Sequence, residues 1–186
     1  MLYASQLSVD VPVLETGRLR LRLHRSADFP ASARMWSDPM VTRYIRKIPF
    51  TQEETWSRLL RYIGHWSLLG FGYWAIEEKA SGSFTGEVGF ADYHRDITPS
   101  LADIPEIGWV LASHAHGKGL ATEAVRAVIQ WGDSHFSQKK TACIIAPENV
   151  ASIRVASKCG YREFQRTTYH GNPTVIYTRE SAGNGR

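Results

Sequence analysis

Apolar residues along the chain follow two different spacings, and the change between them separates predicted strands from predicted helices. Residues 19–23 and 106–111 alternate core-type side chains with other residues, which is typical of strands. From residue 120 the spacing becomes helical, and the apolar side chains that share one helical face are Leu120, Ala124, Val128 and Trp131. The middle of the chain is therefore predicted to be a strand that passes through a turn directly into a helix.

The rest of the chain predicts further strands and helices in mixed order. Thr51 and Glu54 have the spacing of a capping box, which favours a helix over residues 52–68. Further helices are predicted at residues 29–35, 40–44 and 151–158, and further strands at residues 71–77, 85–91, 141–146, 161–168 and 174–178. This order indicates an α+β (mixed α/β) fold, in which a mostly antiparallel sheet of about seven strands is flanked by about four helices.

Composition fits one globular domain. The chain has 186 residues, of which 43% are hydrophobic and 22% are charged, so it can build an ample core. We predict a single domain over residues 14–179, with flexible ends at residues 1–13 and 180–186. No stretch approaches the ~20 apolar residues of a membrane span, and the N-terminus lacks a basic region followed by an apolar run. We expect Cys143 and Cys159 to be small buried hydrophobic residues in a cytoplasmic protein.

The net charge argues against nucleic acid as a partner. The formal charge is +4, and the basic residues are scattered along the chain. Arg18, Arg20 and Arg22 alternate with leucines, so we expect these arginines to form the solvated side of a strand. No basic stripe is interleaved with aromatic residues, as it is in proteins that bind single-stranded nucleic acid.

The turn between the central strand and its helix predicts a binding site for phosphate. Gly117 and Gly119 free the backbone where a Cβ would block close approach of a ligand. A glycine turn that leads into a helix N-terminus presents unpaired N–H groups and the positive end of the helix dipole. The turn lacks the motifs of nucleotide triphosphate loops and of dinucleotide-binding loops, so its phosphate ligand is of another kind.

Two motifs resemble those of the GNAT superfamily of N-acetyltransferases. The turn reads His114-x-x-Gly117-x-Gly119-x-Ala121, which is similar to the acyl-CoA pyrophosphate turn that the family writes Q/R-x-x-G-x-G/A. His114 replaces the usual Gln or Arg, which weakens a side-chain contact but leaves the backbone cradle intact. A second segment contains Asn149, Ser152, Lys158, Gly160 and Tyr161, and it resembles the N-x-x-S…K-x-G-[FY] pattern of the branch that acetylates the N-termini of ribosomal proteins.

The resemblance covers residues 14–179 and implies both a fold and a co-substrate. The implied fold is that of the GNAT family, and the implied co-substrate is acetyl-CoA. The residues implied to bind acetyl-CoA are Val110, Leu111, His116, Gly117, Lys118, Gly119, Leu120, Ala121, Thr122, Asn149 and Ser152. Asn149 also has the position of a helix N-cap.

The resemblance also implies roles in the transfer of the acetyl group. Glu106 lies where many family members have the glutamate that accepts the proton of the amine, directly or through water. An edge-of-strand carboxylate in a salt bridge is the alternative reading of Glu106. The backbone N–H of Val110 or Leu111 is expected to polarise the acetyl carbonyl. Ser152 is the candidate acid for the leaving thiolate, since the predicted helix has no tyrosine before Tyr161.

The identity of the amine is left open. A protein N-terminal α-amine and a small-molecule amine, such as an aminoglycoside or a polyamine, are both compatible with these motifs, and a non-catalytic acyl-CoA sensor would retain the turn and Asn149. Most of the large aromatic residues before the central strand are expected in the core: Trp36, Tyr44, Trp66, Tyr73 and Trp74. The histidines lack metal-ligand spacing, so we predict no metal. The chain is expected to be a monomer or a homodimer, without a membrane or nucleic-acid partner.

Overall fold

A single sheet of eight strands organises the protein, which we describe from a computed structural model of residues 10–46, 48–137 and 140–181. The strands are β1 (Leu14–Glu15), β2 (Leu19–Arg22), β3 (Tyr73–Glu78), β4 (Ser83–Ala91), β5 (Glu106–Leu111), β6 (Lys140–Ile145), β7 (Arg162–Tyr169) and β8 (Asn172–Glu180). Their spatial order is β1-β2-β3-β4-β5-β6-β8-β7. Every neighbouring pair is antiparallel except β5 and β6, which are parallel.

Five α-helices accompany the sheet in the described part of the chain. They are α1 (Phe29–Ser37), α2 (Pro39–Thr42), α3 (Gln52–Leu69), α4 (Leu120–His135) and α5 (Val150–Lys158), with short 3-10 helices at Ser26–Asp28 and Ser113–Ala115. The predicted capping box is confirmed, because Thr51 and Glu54 hydrogen-bond reciprocally at the start of α3. In the part of the chain that the structure describes, no helix combines the length and the apolar content needed to cross a membrane.

The mixed, mostly antiparallel fold is confirmed, and the predicted counts are each one too low. The additional strand, β1, contains only two residues, which is too short to show an alternating pattern. It pairs with β2 through Leu14 opposite Leu21. The predicted total of about four helices is low because the predicted segments 29–35 and 40–44 are two separate helices, α1 and α2, divided by the extended Asp38.

The two faces of the sheet are covered by different helices. Glu87 and Val88 are neighbours on β4, so their side chains point to opposite faces. On the face of Glu87, residues of α1 and α3 donate hydrogen bonds to the Glu87 carboxylate. On the face of Val88, α4 packs into the main core, where the predicted helical stripe of Leu120, Ala124, Val128 and Trp131 is buried. We call these two sides the Glu87 face and the Val88 face.

The segment of residues 92–105 covers the part of the Glu87 face where no helix lies. Ile97 and Leu101 are buried against Ala142 of β6 and Ile176 of β8. Thr167 on β7 anchors the segment by donating a hydrogen bond from Oγ1 to the carbonyl oxygen of Thr98 at 2.6 Å. The segment is thus a packed strap, even though it has no regular secondary structure.

The prediction of a solvated arginine face on β2 was wrong for Arg22. Arg18 and Arg20 are exposed, whereas Arg22 is only 7% exposed. The Arg22 guanidinium binds both carboxylate oxygens of Asp28 at 2.8 Å and also Glu77 through Nε at 2.8 Å. Two carboxylates from other elements therefore compensate the charge, which the alternation along β2 alone does not reveal.

The Arg22–Asp28 pair leads to a prediction for stability. Replacing Asp28 with alanine should lower the free energy of unfolding by about 3 kcal/mol, because it leaves a buried arginine with one carboxylate instead of two. Burial raises the pKa of Asp28, but hydrogen bonds from Arg22 and the Arg25 N–H outweigh it and leave the pKa lowered. The contribution is therefore complete above the unfolded pKa of about 4 and is lost as the pH falls through the lower folded value. Urea titrations at pH 7 and pH 3 measure it, and a variant as stable as the wild type at pH 7 would contradict it.

The prediction for the two cysteines is confirmed. Cys143 and Cys159 are free thiols, 2% and 8% exposed, and both belong to the main core. Burial raises the pKa of each thiol. Both side chains therefore remain protonated and act as small hydrophobic groups.

Candidate active site

The two parallel strands at the centre of the sheet separate along their length. Glu106 on β5 is paired with Ala142 on β6, and the Ala142 N–H donates to the carbonyl oxygen of Pro105 at 3.1 Å. Beyond this point, no further residue pair joins β5 to β6 within their described residues. A gap therefore opens between the strands, closed at Glu106 and widening toward their carboxyl ends.

Strand geometry shows which backbone groups face this gap. The Pro105 carbonyl points to β6, whereas the Ala112 N–H donates to Thr85 O, on the β4 side, at 2.9 Å. Since successive backbone groups alternate in direction, the N–H groups of Trp109 and Leu111 point into the gap. The N–H of Val110 points into the ladder with β4. Of the two polarising groups that the sequence suggested, Leu111 is thus the one that a ligand in the gap can reach.

The glycine turn lies at the open end of the gap. Gly117 and Gly119 have φ values of +75° and +76°, which lie in the left-handed region that favours glycine. Gly119 is the N-cap of α4 and provides no side chain to bind the first N–H groups of the helix. A Cβ added at Gly117 would meet no atom within 4 Å, so the turn is open to a ligand. Its unpaired N–H groups and the dipole of a 16-residue helix make it an anion site.

Arg18, the residue before β2, holds the turn in place through contacts that the sequence did not predict. Its Nη1 donates to Lys118 O at 2.9 Å, and its guanidinium pairs with Glu123 at 2.6 Å. Burial raises the pKa of Glu123, but hydrogen bonds from Thr16 and Arg18 outweigh it and leave the pKa lowered. A cavity of about 460 Å³ adjoins this cluster, and its lining includes Arg18, Gly119 and Arg126.

The His116 side chain is exposed and lies against the end of β5. Its Nε2 lies 2.9 Å from the carbonyl oxygen of Leu111, to which it donates. Lys118 is exposed, whereas Leu120 is buried in the main core, so the turn presents different side chains to solvent and to the interior. Ala121 and Thr122 are half-buried in the first turn of α4.

The second motif forms the N-terminus of α5, where Asn149 is the N-cap that the sequence predicted. Its Oδ1 accepts a hydrogen bond from the Ser152 N–H at 3.1 Å. Ser152 is half-buried in the first turn, and its hydroxyl has no hydrogen-bond partner among the described residues. Because β5 and β6 are parallel, α5 and the glycine turn both start at the same edge of the sheet.

Glu106 lies at the other end of β5 and is held by Arg95 of the strap. The Arg95 guanidinium binds both of its carboxylate oxygens, at 2.5 Å and 2.7 Å. Leu111, next to the turn, is about 16 Å along the strand from Glu106 at ~3.3 Å per residue. The structure thus brings Asn149, Ser152 and the turn to one edge and places Glu106 at the closed end of the gap.

Aromatic rings surround the Arg95–Glu106 pair. Arg95 stacks on Tyr93 at 4.5 Å and lies 5.1 Å from the ring of Tyr169, whose hydroxyl accepts from Nη1 at 3.1 Å. Burial alone would lower the pKa of Arg95, but its hydrogen bonds to Glu106 outweigh burial and leave the pKa raised. Arg95 is therefore a permanent cation beside Glu106.

A second carboxylate, Glu87, lies opposite Val110 on the neighbouring strand. It is 1% exposed and accepts hydrogen bonds from Ser32 at 2.7 Å, Trp36 at 3.0 Å and the Tyr62 hydroxyl at 2.9 Å. Glu106 and Glu87 point to the same face, because Glu106 and Val110 are four residues apart on one strand. The sequence signal for Glu87 is an acidic residue within residues 86–91, which are otherwise apolar or glycine.

The prediction that the early aromatic residues are mostly core is confirmed. Trp36, Trp66, Tyr73 and Trp74 are buried, and Tyr44 is half-buried. Gly108 gives Tyr73 access to β5, because a Cβ at Gly108 would overlap the Tyr73 hydroxyl. Burial raises the pKa of Tyr73 well above its ordinary value, so this phenol remains protonated against the central strand.

Comparison with known proteins identifies the family of this chain. The family model described as "Acetyltransferase (GNAT) domain" matches residues 18–162. YkkB of Bacillus subtilis is 34% identical over 115 residues, which are 60% of this chain and 63% of YkkB. The N-acetyltransferase p20 of Bacillus licheniformis is 29% identical over 151 residues, covering 81% of this chain and 82% of p20.

Solved structures show the same fold. A GnaT-family acetyltransferase from Bordetella pertussis is 28% identical with a TM-score of 0.78, covering 91% of this chain and 99% of that one. The ribosomal L7/L12 α-N-protein acetyltransferase RimL, in complex with CoA, is 16% identical with a TM-score of 0.76 over 93% of this chain and 100% of that one. The aminoglycoside acetyltransferase AAC(6')-Ib, with paromomycin and acetyl-CoA, is 17% identical with a TM-score of 0.71 over 88% of this chain and 93% of that one. With the family model matching most of its length and with N-acetyltransferases among its relatives, this chain belongs to the GNAT family of acetyltransferases.

Proposed function

We propose that this acetyltransferase uses acetyl-CoA to acetylate the α-amine at the N-terminus of a polypeptide. The observation that carries the proposal is the two-point contact between Arg95 and Glu106. The permanent Arg95 cation beside this carboxylate disfavours a second positive charge next to it, such as a protonated amine. The site therefore suits an amine that loses its proton easily.

The ordinary acidities of amines explain this choice. An α-amine with a pKa near 8 is about 10% neutral at pH 7, whereas a lysine-type amine with a pKa near 10.4 is only about 0.04% neutral. Deprotonating an alkylamine therefore demands a much stronger base than deprotonating an α-amine. Glu87 does not supply that base, because it is 1% exposed and already accepts three hydrogen bonds.

The co-substrate fits the gap and the glycine turn. The left-handed Gly117 and Gly119 offer backbone N–H groups to a pyrophosphate, with Lys118 and Thr122 beside them. Trp109 and Leu111 present a strand edge to the amides of an extended arm. Asn149 and Ser152 border the same opening. Acetyl-CoA, when bound there, supplies the activated acetyl thioester.

The residues of the chain have separate tasks in the transfer. The amine nitrogen bonds to the acetyl carbon, and its proton passes to Glu106 through water, since Glu106 is about 10 Å along β5 from Trp109 at ~3.3 Å per residue. The Trp109 N–H, the gap-facing group nearer to Glu106, donates to the carbonyl oxygen as negative charge develops there. The carbon–sulfur bond then breaks, and Ser152 delivers a proton to the thiolate sulfur and regains one from solvent, while Glu106 releases its proton to solvent.

Ser152 provides a prediction for the leaving group. Replacing Ser152 with alanine should lower kcat more than it weakens acetyl-CoA binding, because the hydroxyl acts only when the sulfur leaves. We expect about a tenfold loss in kcat, with less than a twofold change in the affinity measured by titration calorimetry. Asn149→Ala is the matched comparison, since it removes a helix cap and a predicted acetyl-CoA contact and should weaken binding. Unchanged turnover in the serine variant would remove Ser152 from the mechanism.

Thiol release from acetyl-CoA tests the acceptor class. The panel contains a peptide with a free α-amine, the same peptide acetylated at its N-terminus but carrying lysine, an aminoglycoside and a polyamine. We expect the free α-amine peptide to be preferred by at least tenfold in kcat/KM at pH 7. Preference for the lysine peptide, the aminoglycoside or the polyamine would contradict the proposal. Binding of acetyl-CoA without transfer to any amine would instead indicate a sensor.

A further inference from the structure

A second cavity lies on the outer side of α3, away from the glycine turn. Its volume is about 430 Å³, and it is lined by Phe50, Glu53, Glu54, Ser57, Arg58 and Arg61. It is formed by the first half of α3 and by the segment that precedes this helix. The cavity therefore contains two arginines, two glutamates and one aromatic wall.

The Arg58 side chain is the unusual member of this lining. It is half-buried, with its guanidinium 4.0 Å from the ring centre of Trp36 and 4.7 Å from that of Phe50. Its Nε is buried without a hydrogen-bond partner, and Nη1 is only 3.5 Å from the Tyr62 hydroxyl. Within the described residues, Arg58 forms no ion pair with a carboxylate.

Two other arginines on the Glu87 face, one buried and one half-buried, are neutralised by direct ion pairs. Arg22 contacts Asp28 and Glu77, and Arg95 contacts Glu106. Arg58 reaches Glu87 only through the Tyr62 hydroxyl. Because a buried cation without a paired anion is costly, a direct anionic partner from outside the chain would complete this site.

The remaining charges of the cavity leave it able to attract an anion. Glu54 is already bound by both Nη atoms of Arg46 at 2.7 Å. Arg61 forms no ion pair among the described residues and lies 5.4 Å from the ring of Tyr93. Against Glu53, the cavity therefore presents Arg58 and Arg61, which gives an excess of one positive charge.

The cavity is connected to the central strand by packing. Phe50, which forms its wall, packs in the same apolar cluster as Val110 of β5. Glu87, at the end of the Arg58–Tyr62–Glu87 chain of hydrogen bonds, lies directly opposite Val110. An acceptor whose amine approaches β5 from the Glu87 face therefore lies near this cavity.

We propose that this cavity is a specificity subsite that binds a carboxylate side chain of the acceptor, so that the enzyme prefers peptides with an acidic residue close to the acetylated N-terminus. The inference rests on the proposed α-amine acetylation and adds the charge of the acceptor to it. Arg61 at the rim attracts the carboxylate, and Arg58 at the base receives it. Glu53 opposes the same anion.

Matched peptides test the subsite without changing their shape. Peptides with glutamate at the second, third or fourth position are compared with the same peptides carrying glutamine, and kcat/KM is measured at low ionic strength. We expect one glutamate peptide to be preferred about tenfold, mainly through KM, and the preference to shrink in 0.5 M salt because the rim is exposed to solvent.

Four variants of the protein complete the experiment. Arg61→Gln should reduce the preference for glutamate about fivefold, and Glu53→Gln should increase it. Arg34→Gln is the control, since Arg34 is an exposed arginine on α1 that does not line the cavity and its replacement changes the net charge equally. Arg58→Gln should abolish the preference, and the two exposed-rim variants keep the test decisive if this buried change prevents folding.

Each outcome separates the subsite from the function on which it rests. Equal acetylation of glutamate and glutamine peptides would overturn the subsite while leaving α-amine acetylation intact. A preference that Arg61→Gln and Glu53→Gln leave unchanged would also overturn it. If no peptide is acetylated while another amine is, the proposed function fails and the subsite fails with it.

Discussion

Replacing Glu106 with glutamine is expected to lower kcat/KM for an α-amine peptide about a hundredfold, the lower end of what general-base catalysis contributes. Glutamine can still accept one hydrogen bond from Arg95, but its amide takes no proton from the incoming amine. The loss should appear in kcat, because proton transfer follows binding of both substrates. Initial rates with saturating acetyl-CoA measure it.

The Glu106→Gln variant also leaves Arg95 without its carboxylate partner. Its stability must therefore be measured separately from its activity. Without the carboxylate, Arg95 is a buried cation with only the Tyr169 hydroxyl as polar partner, so the variant should also be less stable. Urea denaturation and acetyl-CoA titration establish that the variant is folded and still binds. A folded variant that keeps more than a third of wild-type kcat/KM would show that Glu106 serves only the salt bridge with Arg95.

Local patterns along the sequence predicted the elements of this fold well. The strand over residues 106–111, the helix from Leu120 and the capping box at Thr51 each depend on neighbours only a few residues apart. The same holds for the Asn149 cap and for the left-handed glycines, because a cap or a turn is specified within one segment. The strand β1 was missed because two residues carry no periodicity.

Contacts between distant segments were not predictable in this way. Arg95 and Glu106 are only 11 residues apart, yet their contact depends on the strap folding back over the sheet. Arg22 was expected to be exposed because its partner Glu77, 55 residues away, is invisible to the alternation along β2. The choice of Leu111 over Val110 as the group facing the gap likewise required the pairing of β5 with both neighbours.

The two ends of the gap divide the chemistry of the protein. The open end contains the turn and the start of α5, both of which the sequence motifs identified. The closed end contains Glu106, Arg95 and the tyrosines around them, which come from the strap and from β7. Under the proposed function, the residues that bind acetyl-CoA are concentrated in local motifs, whereas those that face the acceptor come from scattered segments. This explains why the sequence specifies acetyl-CoA more closely than it specifies the amine.

Replacing both Gly117 and Gly119 with alanine is expected to weaken acetyl-CoA binding about a hundredfold without unfolding the protein. Each alanine disfavours the left-handed conformation by roughly 1–2 kcal/mol, and about 1.4 kcal/mol corresponds to a tenfold change in affinity. We expect the turn to relax to a different backbone path that avoids this energy. The N–H groups then no longer point at the phosphate, so the affinity for acetyl-CoA falls. Titration calorimetry with acetyl-CoA and with CoA measures the loss.

A glycine elsewhere in the chain separates this effect from backbone strain in general. Gly82, in the turn between β3 and β4, has a φ of +65°, and a Cβ there would meet no atom within 4 Å, as at Gly117. Gly82→Ala therefore introduces similar strain far along the chain from the phosphate turn, and it should lower stability while leaving acetyl-CoA affinity within twofold. If the double variant of Gly117 and Gly119 loses stability as Gly82→Ala does but binds acetyl-CoA normally, the two glycines serve only the local fold. The phosphate would then be held by side chains such as Lys118 and Thr122 rather than by the backbone of the turn.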